Sequence, residues 1–209
     1  MTVPRIAMGR ASLVLFLVCG AAARAQSVPS PREPDAALLW ADREAVACGL
    51  ARHAFVELHF GTIPVELTLY ARDDATARAA ARAAFARVAE LAAMMDDYAL
   101  DPPSPLNRIA ARAPSAVAVP HELMVVLERS KALHRATGGA FDVTAKPFVQ
   151  LWRVSRRLGE LPPPERLRRA ADFVDIGALE LDLDAGTARL AREGMWLDLG
   201  GIAKGFIGD

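Results

Sequence analysis

The chain has 209 residues, 53% of them hydrophobic, with 25 basic side chains balanced by 25 acidic ones and 14 each of Gly and Pro. This composition excludes a disordered or collagen-like chain, and the zero net charge leaves no basic excess to neutralise a nucleic-acid backbone. The length suits one domain with a sizeable core, or part of a larger one.

Arg5 and Arg10 precede an apolar run from Ala11 to Ala23, which is shorter than the roughly 20 residues of a spanning helix. Ala23-Arg24-Ala25 then supplies the small residues of a cleavage site, so residues 1–25 read as an export signal. That places the mature chain in the periplasm or on the outer face of the inner membrane. Cys19 gives a second reading, lipidation and a membrane anchor, although Val18 before it is not small. The leader holds Arg5, Arg10 and Arg24 and no acid, so the mature chain is net acidic, and Cys48 is left without an intramolecular disulfide partner.

Pro29, Pro31 and Pro34 among serines and charges make a flexible tether. Residues 26–53 are tether and first segment, and the domain proper runs over 54–209. Ala54 to Phe60 and Pro64 to Tyr70 alternate apolar and polar residues, which predicts two strands joined by Gly61-Thr62. The apolar sets are Val56, Leu58 and Phe60 in the first and Val65, Leu67 and Leu69 in the second. Asp73 or Asp74 caps a helix of about six turns whose buried face carries Phe85, Val88, Ala92 and Met95.

The acidic exit Asp96-Asp97-Tyr98 leads into Asp101-Pro102-Pro103-Ser104-Pro105, expected as a rigid, exposed loop. A second helix starts near Pro120, carries Leu123, Val126, Leu127, Ser130 and Leu133 on one face, and stops at Gly138-Gly139. Ala145 to Val154 and Glu165 to Ala171 predict two shorter helices, and Val174 to Leu199 alternates like strand. Gly200-Gly201 then opens another helix.

Gly138-Gly139-Ala140-Phe141-Asp142 joins a helix end to an aromatic ring and a carboxylate. Such a turn lets backbone approach a flat ligand with Asp142 as acceptor, and it equally reads as a glycine cap before a core phenylalanine. Asp198 stands at a strand end before Gly200-Gly201, with Lys204 beside the first helical turn. N–H groups and a lysine there suit an anion such as phosphate, while the plain alternative is a tight turn with a solvated lysine. Lys204 is one of three lysines in the chain, and neither a Walker loop nor a GxGxxG pattern is present. Tyr98 either stacks on a planar ring or closes over its own helix end. His53, His59, His121 and His134 lack Cys or His neighbours at ligand spacing and read as structural.

In order, Gly61-Thr62, Met95-Asp96-Asp97-Tyr98, Leu106-Asn107, Thr137 to Asp142, Pro147-Phe148-Val149 with Leu151-Trp152, and Asp198 to Gly205 resemble the FAD:protein FMN transferases, the ApbE-like flavin transferases. The resemblance implies an α+β fold and an exported, magnesium-dependent enzyme. Such an enzyme breaks the pyrophosphate of FAD and transfers FMN to a threonine of a partner protein. It implies that Tyr98 stacks near the isoalloxazine, that Ala140, Phe141 and Asp142 line the flavin, that Asp198 and Lys204 contact FAD, and that Gly201 offers its carbonyl to magnesium. Phe60 stands where the family has methionine, and the proline-rich loop replaces a Ser/Glu-rich run. The family domain also continues past Asp209 into the segment that carries the Asp and Thr magnesium ligands. The chain as given is therefore expected to be an incomplete, inactive and poorly soluble fragment. The alternatives are a flavin-binding protein without turnover, or an FAD pyrophosphatase releasing FMN and AMP.

Overall fold

The computed structural model describes the backbone of Leu13–Phe16 and residues 48–61 and 63–209; the tether and the rest of the predicted leader lie outside the described residues. The chain divides into two compact units, residues 1–89 with 208–209, and residues 90–207.

The first unit is built on an antiparallel sheet. Leu13–Phe16 (β1), inside the predicted leader, pairs with Ile63–Ala71 (β3), which pairs with Ala51–His59 (β2). β3 behaves as its alternation predicts, burying Val65, Leu67, Leu69 and Ala71. β2 does not: Val56 is 59% and Leu58 65% exposed. The cause is the connection. His59 pairs with Ile63, so the turn is residues 60–62 with Phe60 inside it, and Phe55, not Val56, lies opposite Leu67. In this register Val56 and Leu58 alternate with the residues opposite the buried set of β3 and so fall on the other side of the sheet. His53, Phe55 and His59 take the inner side, and His59 stacks on Phe85 with ring centroids 5.8 Å apart. Phe60 occupies the turn at φ 50°, conformational space normally left to glycine.

Asp74–Met94 forms helix α1. Its alanines favour helix intrinsically, and Asp73 accepts from the Thr76 N–H at 2.7 Å as the cap. That bond, with a second from the Thr76 hydroxyl, holds the Asp73 carboxyl below the ordinary carboxylate range. Phe85, Val88, Leu91 and Met95 are buried at helical spacing.

In the second unit, Pro105–Ala111 (α2), Val117–Ala118 (β4), His121–Ala136 (α3), Lys146–Leu158 (α4) and Pro164–Ala171 (α5) precede a 3₁₀ turn, Ile176–Ala178. Leu179–Asp182 (β5), Thr187–Leu190 (β6) and Ala203–Gly208 (α6) follow. The antiparallel sheet runs β4-β6-β5. Its core gathers Leu106, Ile109, Leu123, Val126, Leu127, Leu179, Leu190 and Met195.

Three expectations are corrected here. Leu133 is 37% exposed in the last turn of α3, off the stripe that buries Leu123, Val126, Leu127 and Ser130. The proline loop is not uniformly exposed, because Ser104 is buried and caps α2, a helix the prolines had concealed. Val174 to Leu199 is not one strand: β5 and β6 pair as a hairpin, and Met195, Leu197 and Leu199 keep alternate burial with no ladder assigned to them. No helix among the described residues is long and apolar enough to cross a membrane.

Candidate functional site

The site lies in the second unit, where three loops meet helix α4. The first loop follows α1. Asp96 Oδ1 accepts from the Tyr98 N–H at 2.8 Å, and two buried side chains tie the loop from beneath. Ser104 Oγ donates to the Asp96 carbonyl at 2.6 Å, and Asn107 Nδ2 donates to the Ala99 carbonyl at 2.8 Å. The Asn107 amide nitrogen holds irregular backbone that no ladder supports, donating to the carbonyls of both Asp96 and Ala99, while its Oδ1 is buried without a partner. Adjacent Asp96 and Asp97 point to different tasks: Asp96 caps the turn, while Asp97 faces inward beside α4.

The second loop follows α3. Gly138 and Gly139 take φ values of 59° and 87°, ending the helix in the left-handed conformation that glycine adopts without strain. His134 Nδ1 donates to the Phe141 carbonyl at 2.8 Å and lies 3.5 Å from Asp142 Oδ2. Asp142 Oδ1 accepts from both the N–H and the hydroxyl of Thr144, at 2.8 and 2.6 Å. Asp142 therefore braces the turn, with one carboxylate oxygen fully engaged by its own loop. Ala140 is exposed beside it.

The third loop runs from Met195 into α6. The Asp198 N–H donates to the Val143 carbonyl at 2.8 Å, which joins this loop to the second, and Asp198 Oδ1 accepts from the Gly200 N–H at 2.8 Å. A Cβ on Gly201 would stand 3.0 Å from the Phe141 ring, so the glycine is needed for that close approach. Lys204 Nζ donates to the Gly200 carbonyl at 2.9 Å, folding its charge back over the turn.

Helix α4 connects these pieces with two cations seven residues apart, hence on one face. Lys146, 4% exposed, donates to the Asp97 carbonyl at 2.7 Å, stands 3.5 Å from Asp97 Oδ2 and lies 5.0 Å from the centre of the Trp196 ring. Arg153 reaches Asp97 at 3.9 Å and Asp198 at 3.5 Å while its guanidinium lies 5.0 Å from the centre of the Tyr98 ring. Burial, and then the Asp198 carboxylate, push the Asp97 carboxyl above the ordinary range against the opposing pull of Lys146 and Arg153. Asp97 Oδ2 has no hydrogen-bond partner.

Asp97, Tyr98, Leu100, Lys146, Gln150, Arg153 and Trp196 line a cleft of about 170 Å³. This is below the roughly 300 Å³ at the lower end of small-molecule pockets, so a ligand as large as a dinucleotide must lie partly outside it. A larger open groove of about 650 Å³ runs along β5 and β6, but it holds none of the residues singled out from sequence, and its Glu180 is already paired with Arg189 at 2.7 Å.

The structure thus links Tyr98, Asp198, Phe141, Asp142 and Gly201 into one neighbourhood, with Lys204 at its edge. Sequence reasoning missed Lys146, Arg153 and Trp196. Their partners lie about fifty positions away in the chain, and a lysine or arginine at a helical position looks solvated in a linear reading. Among the described residues no three His, Cys, Asp or Glu side chains converge on a metal position. Both Asp198 oxygens face partners within the chain, Gly200 and Arg153. Magnesium keeps several waters and takes few protein oxygens, and the oxygen that the resemblance assigns to it here is the Gly201 carbonyl.

The sequence profile of the ApbE family matches residues 60–209. The FAD:protein FMN transferase of Treponema pallidum (strain Nichols) is 36% identical over 124 residues, covering 57% of this chain and 33% of the relative. That of Klebsiella pneumoniae (strain 342) is 29% identical over 151 residues, covering 70% and 45%. Among solved structures, the ApbE protein of Thermotoga maritima superposes with a TM-score of 0.65 at 21% identity, covering 75% of this chain and 50% of that one. The flavin transferase ApbE of Vibrio cholerae gives 0.62 at 23% identity, covering 76% and 51%. The chain spans less than half the length of these curated relatives and about half that of the solved structures. The α+β fold expected from the sequence agrees with these neighbours. On the extent of the profile match, the chain belongs to the ApbE family.

Proposed function

We propose that this chain binds FAD and carries the flavin-nucleotide side of an FAD:protein FMN transferase. The observation that supports this most directly is the convergence of Tyr98, Asp198 and the Phe141–Gly201 contact around the α4 cations, within a family whose curated relatives are named for this reaction. An exposed tyrosine ring beside a cleft with both donors and acceptors suits a planar heterocycle with a polar edge. In the reaction proposed for the whole enzyme, a threonine Oγ of the acceptor protein bonds to the FMN phosphorus as the bond to the AMP phosphate breaks. AMP leaves, and the hydroxyl proton passes to solvent.

Magnesium enters as a requirement of the whole enzyme, toward which the described residues offer the Gly201 carbonyl. Export, with residues 1–25 as leader or Cys19 as lipid anchor, belongs to the same proposal. A second reading, flavin binding without turnover, is favoured by Asp198, whose two carboxylate oxygens are already engaged by Gly200 and Arg153.

Two measurements test these together: titration of the 209-residue chain with FAD, followed by flavin fluorescence and calorimetry, and FMN transfer to a threonine-bearing target with FAD and magnesium, read as in-gel fluorescence. Saturable binding with no labelled band is the expected result for this chain. A labelled band makes it an active transferase, AMP release without an acceptor makes it a pyrophosphatase, and no saturable binding rejects the flavin site.

A further inference from the structure

The C-terminal half of α4 and the whole of α5 carry a surface that the cleft does not use. Arg156, Arg157, Arg166, Arg168 and Arg169 are all exposed, and none makes an ion pair with a described residue. Only Glu160 and Glu165 stand against them between positions 156 and 169. In a chain of zero net charge this is a concentration of positive charge, set on two helices that pack against each other. The end of α4 projects Leu158 and the turn after it Leu161, 68% and 80% exposed, and Trp152 is 50% exposed about one and a half helical turns before Leu158.

α4 is inverted relative to an ordinary surface helix, burying Lys146 and Ser155 while leaving Trp152 and Leu158 in water. Guanidinium groups flanking a protruding apolar tip have the composition of an interfacial helix, in which cations meet lipid phosphates while tryptophan and leucine enter the headgroup boundary. A nucleic acid would offer phosphates but no place for two leucines. An acidic protein would need a concave apolar receptor for a tip this exposed.

We propose that the α4–α5 hairpin docks this protein on the surface of an anionic bilayer, with Leu158 and Leu161 at the membrane boundary. The docking is peripheral, and it does not depend on flavin binding.

The test is co-sedimentation of the 209-residue chain with vesicles of phosphatidylcholine alone or mixed with phosphatidylglycerol. The apolar run near the N-terminus is common to all variants, so differences between variants report the hairpin. Binding is expected with the anionic vesicles, to fall with added salt, and to weaken roughly tenfold or more when the five arginines are changed together to Gln. Changing exposed Arg72, Arg82 and Arg112 to Gln is expected to leave it within about twofold. The pair Leu158→Ser and Leu161→Ser should remove the part that resists salt. The proposal is overturned by no preference for anionic vesicles, by equal losses in the two arginine variants, or by concentration-dependent self-association without lipid that the five-arginine variant abolishes, which would assign the surface to a second copy. FAD titration of the same variants should be unchanged, so a failed flavin site and a failed docking surface give separate results.

Discussion

The two ends of helix α4 use the same residue types to opposite effect. At its start Lys146 is buried, with its ammonium fixed by the Asp97 carbonyl and the Trp196 ring, and Arg153 bridges two carboxylates. At its end Arg156 and Arg157 stand in water beside Leu158 without a partner. A charge that is desolvated must be paired to be tolerated, so its worth lies in exact placement of neighbours; a charge left in water acts through its summed field and is screened by salt. Loss of geometry should break the first end, and loss of charge the second.

The largest effect is expected from Lys146→Met. It leaves the part-buried Asp97 carboxylate without its nearest cation, and removing one partner of a pair buried on one side costs about 2–3 kcal/mol. Chemical denaturation should register the loss; a variant as stable as the parent would mean that Asp97 is already neutral. Gly201→Ala comes next, because its Cβ meets the Phe141 ring at 3.0 Å and overpacking of this size costs about 1–3 kcal/mol. Its FAD affinity should fall together with its melting temperature.

Arg153→Ala separates stability from binding. Arg153 is 42% exposed, so its loss should cost about 1 kcal/mol or less in stability, while freeing Tyr98 and Asp198 should weaken FAD binding roughly tenfold. Calorimetry on the variant checks both, and unchanged affinity would exclude the Tyr98 face from the flavin site.

Asp97→Asn has a smaller effect, read in the pH dependence of stability. The folded carboxyl titrates above its unfolded value of 3.8, so the folded state holds its proton more tightly and this group's contribution to stability declines as pH rises from about 3.8 through the folded pKa. The amide lacks that penalty. The variant should therefore lose less stability than the parent between acid and neutral pH, read as melting temperature across that range. Smallest of all, the five-arginine Gln variant of the hairpin should stay within about 0.5 kcal/mol of the parent in water, because those side chains make no ion pairs to lose.

Local signals carried far along this chain. Alternation placed Val65, Leu67 and Leu69 inside β3, Asp73 capped α1, and Gly138-Gly139 ended α3, because each depends on neighbours within a few positions. The site residues found from sequence were those attached to special backbone: Asp142 and Phe141 after a glycine pair, Asp198 and Gly201 around another. Lys146 and Arg153 have no such mark, and their meaning comes from Asp97 and Asp198.

By itself, the amino-acid order determined the family and with it the α+β class through the resemblance of its ordered motifs, and the helix ends and glycine turns that the site is built on through short-range sterics and hydrogen bonding. Tertiary structure decided which side of β2 is buried, through the register of its pairing with β3, and which cations on α4 are held in the cleft or left to solvent. Both depend on partners distant in the chain, and desolvation and charge pairing act between whatever the fold brings together.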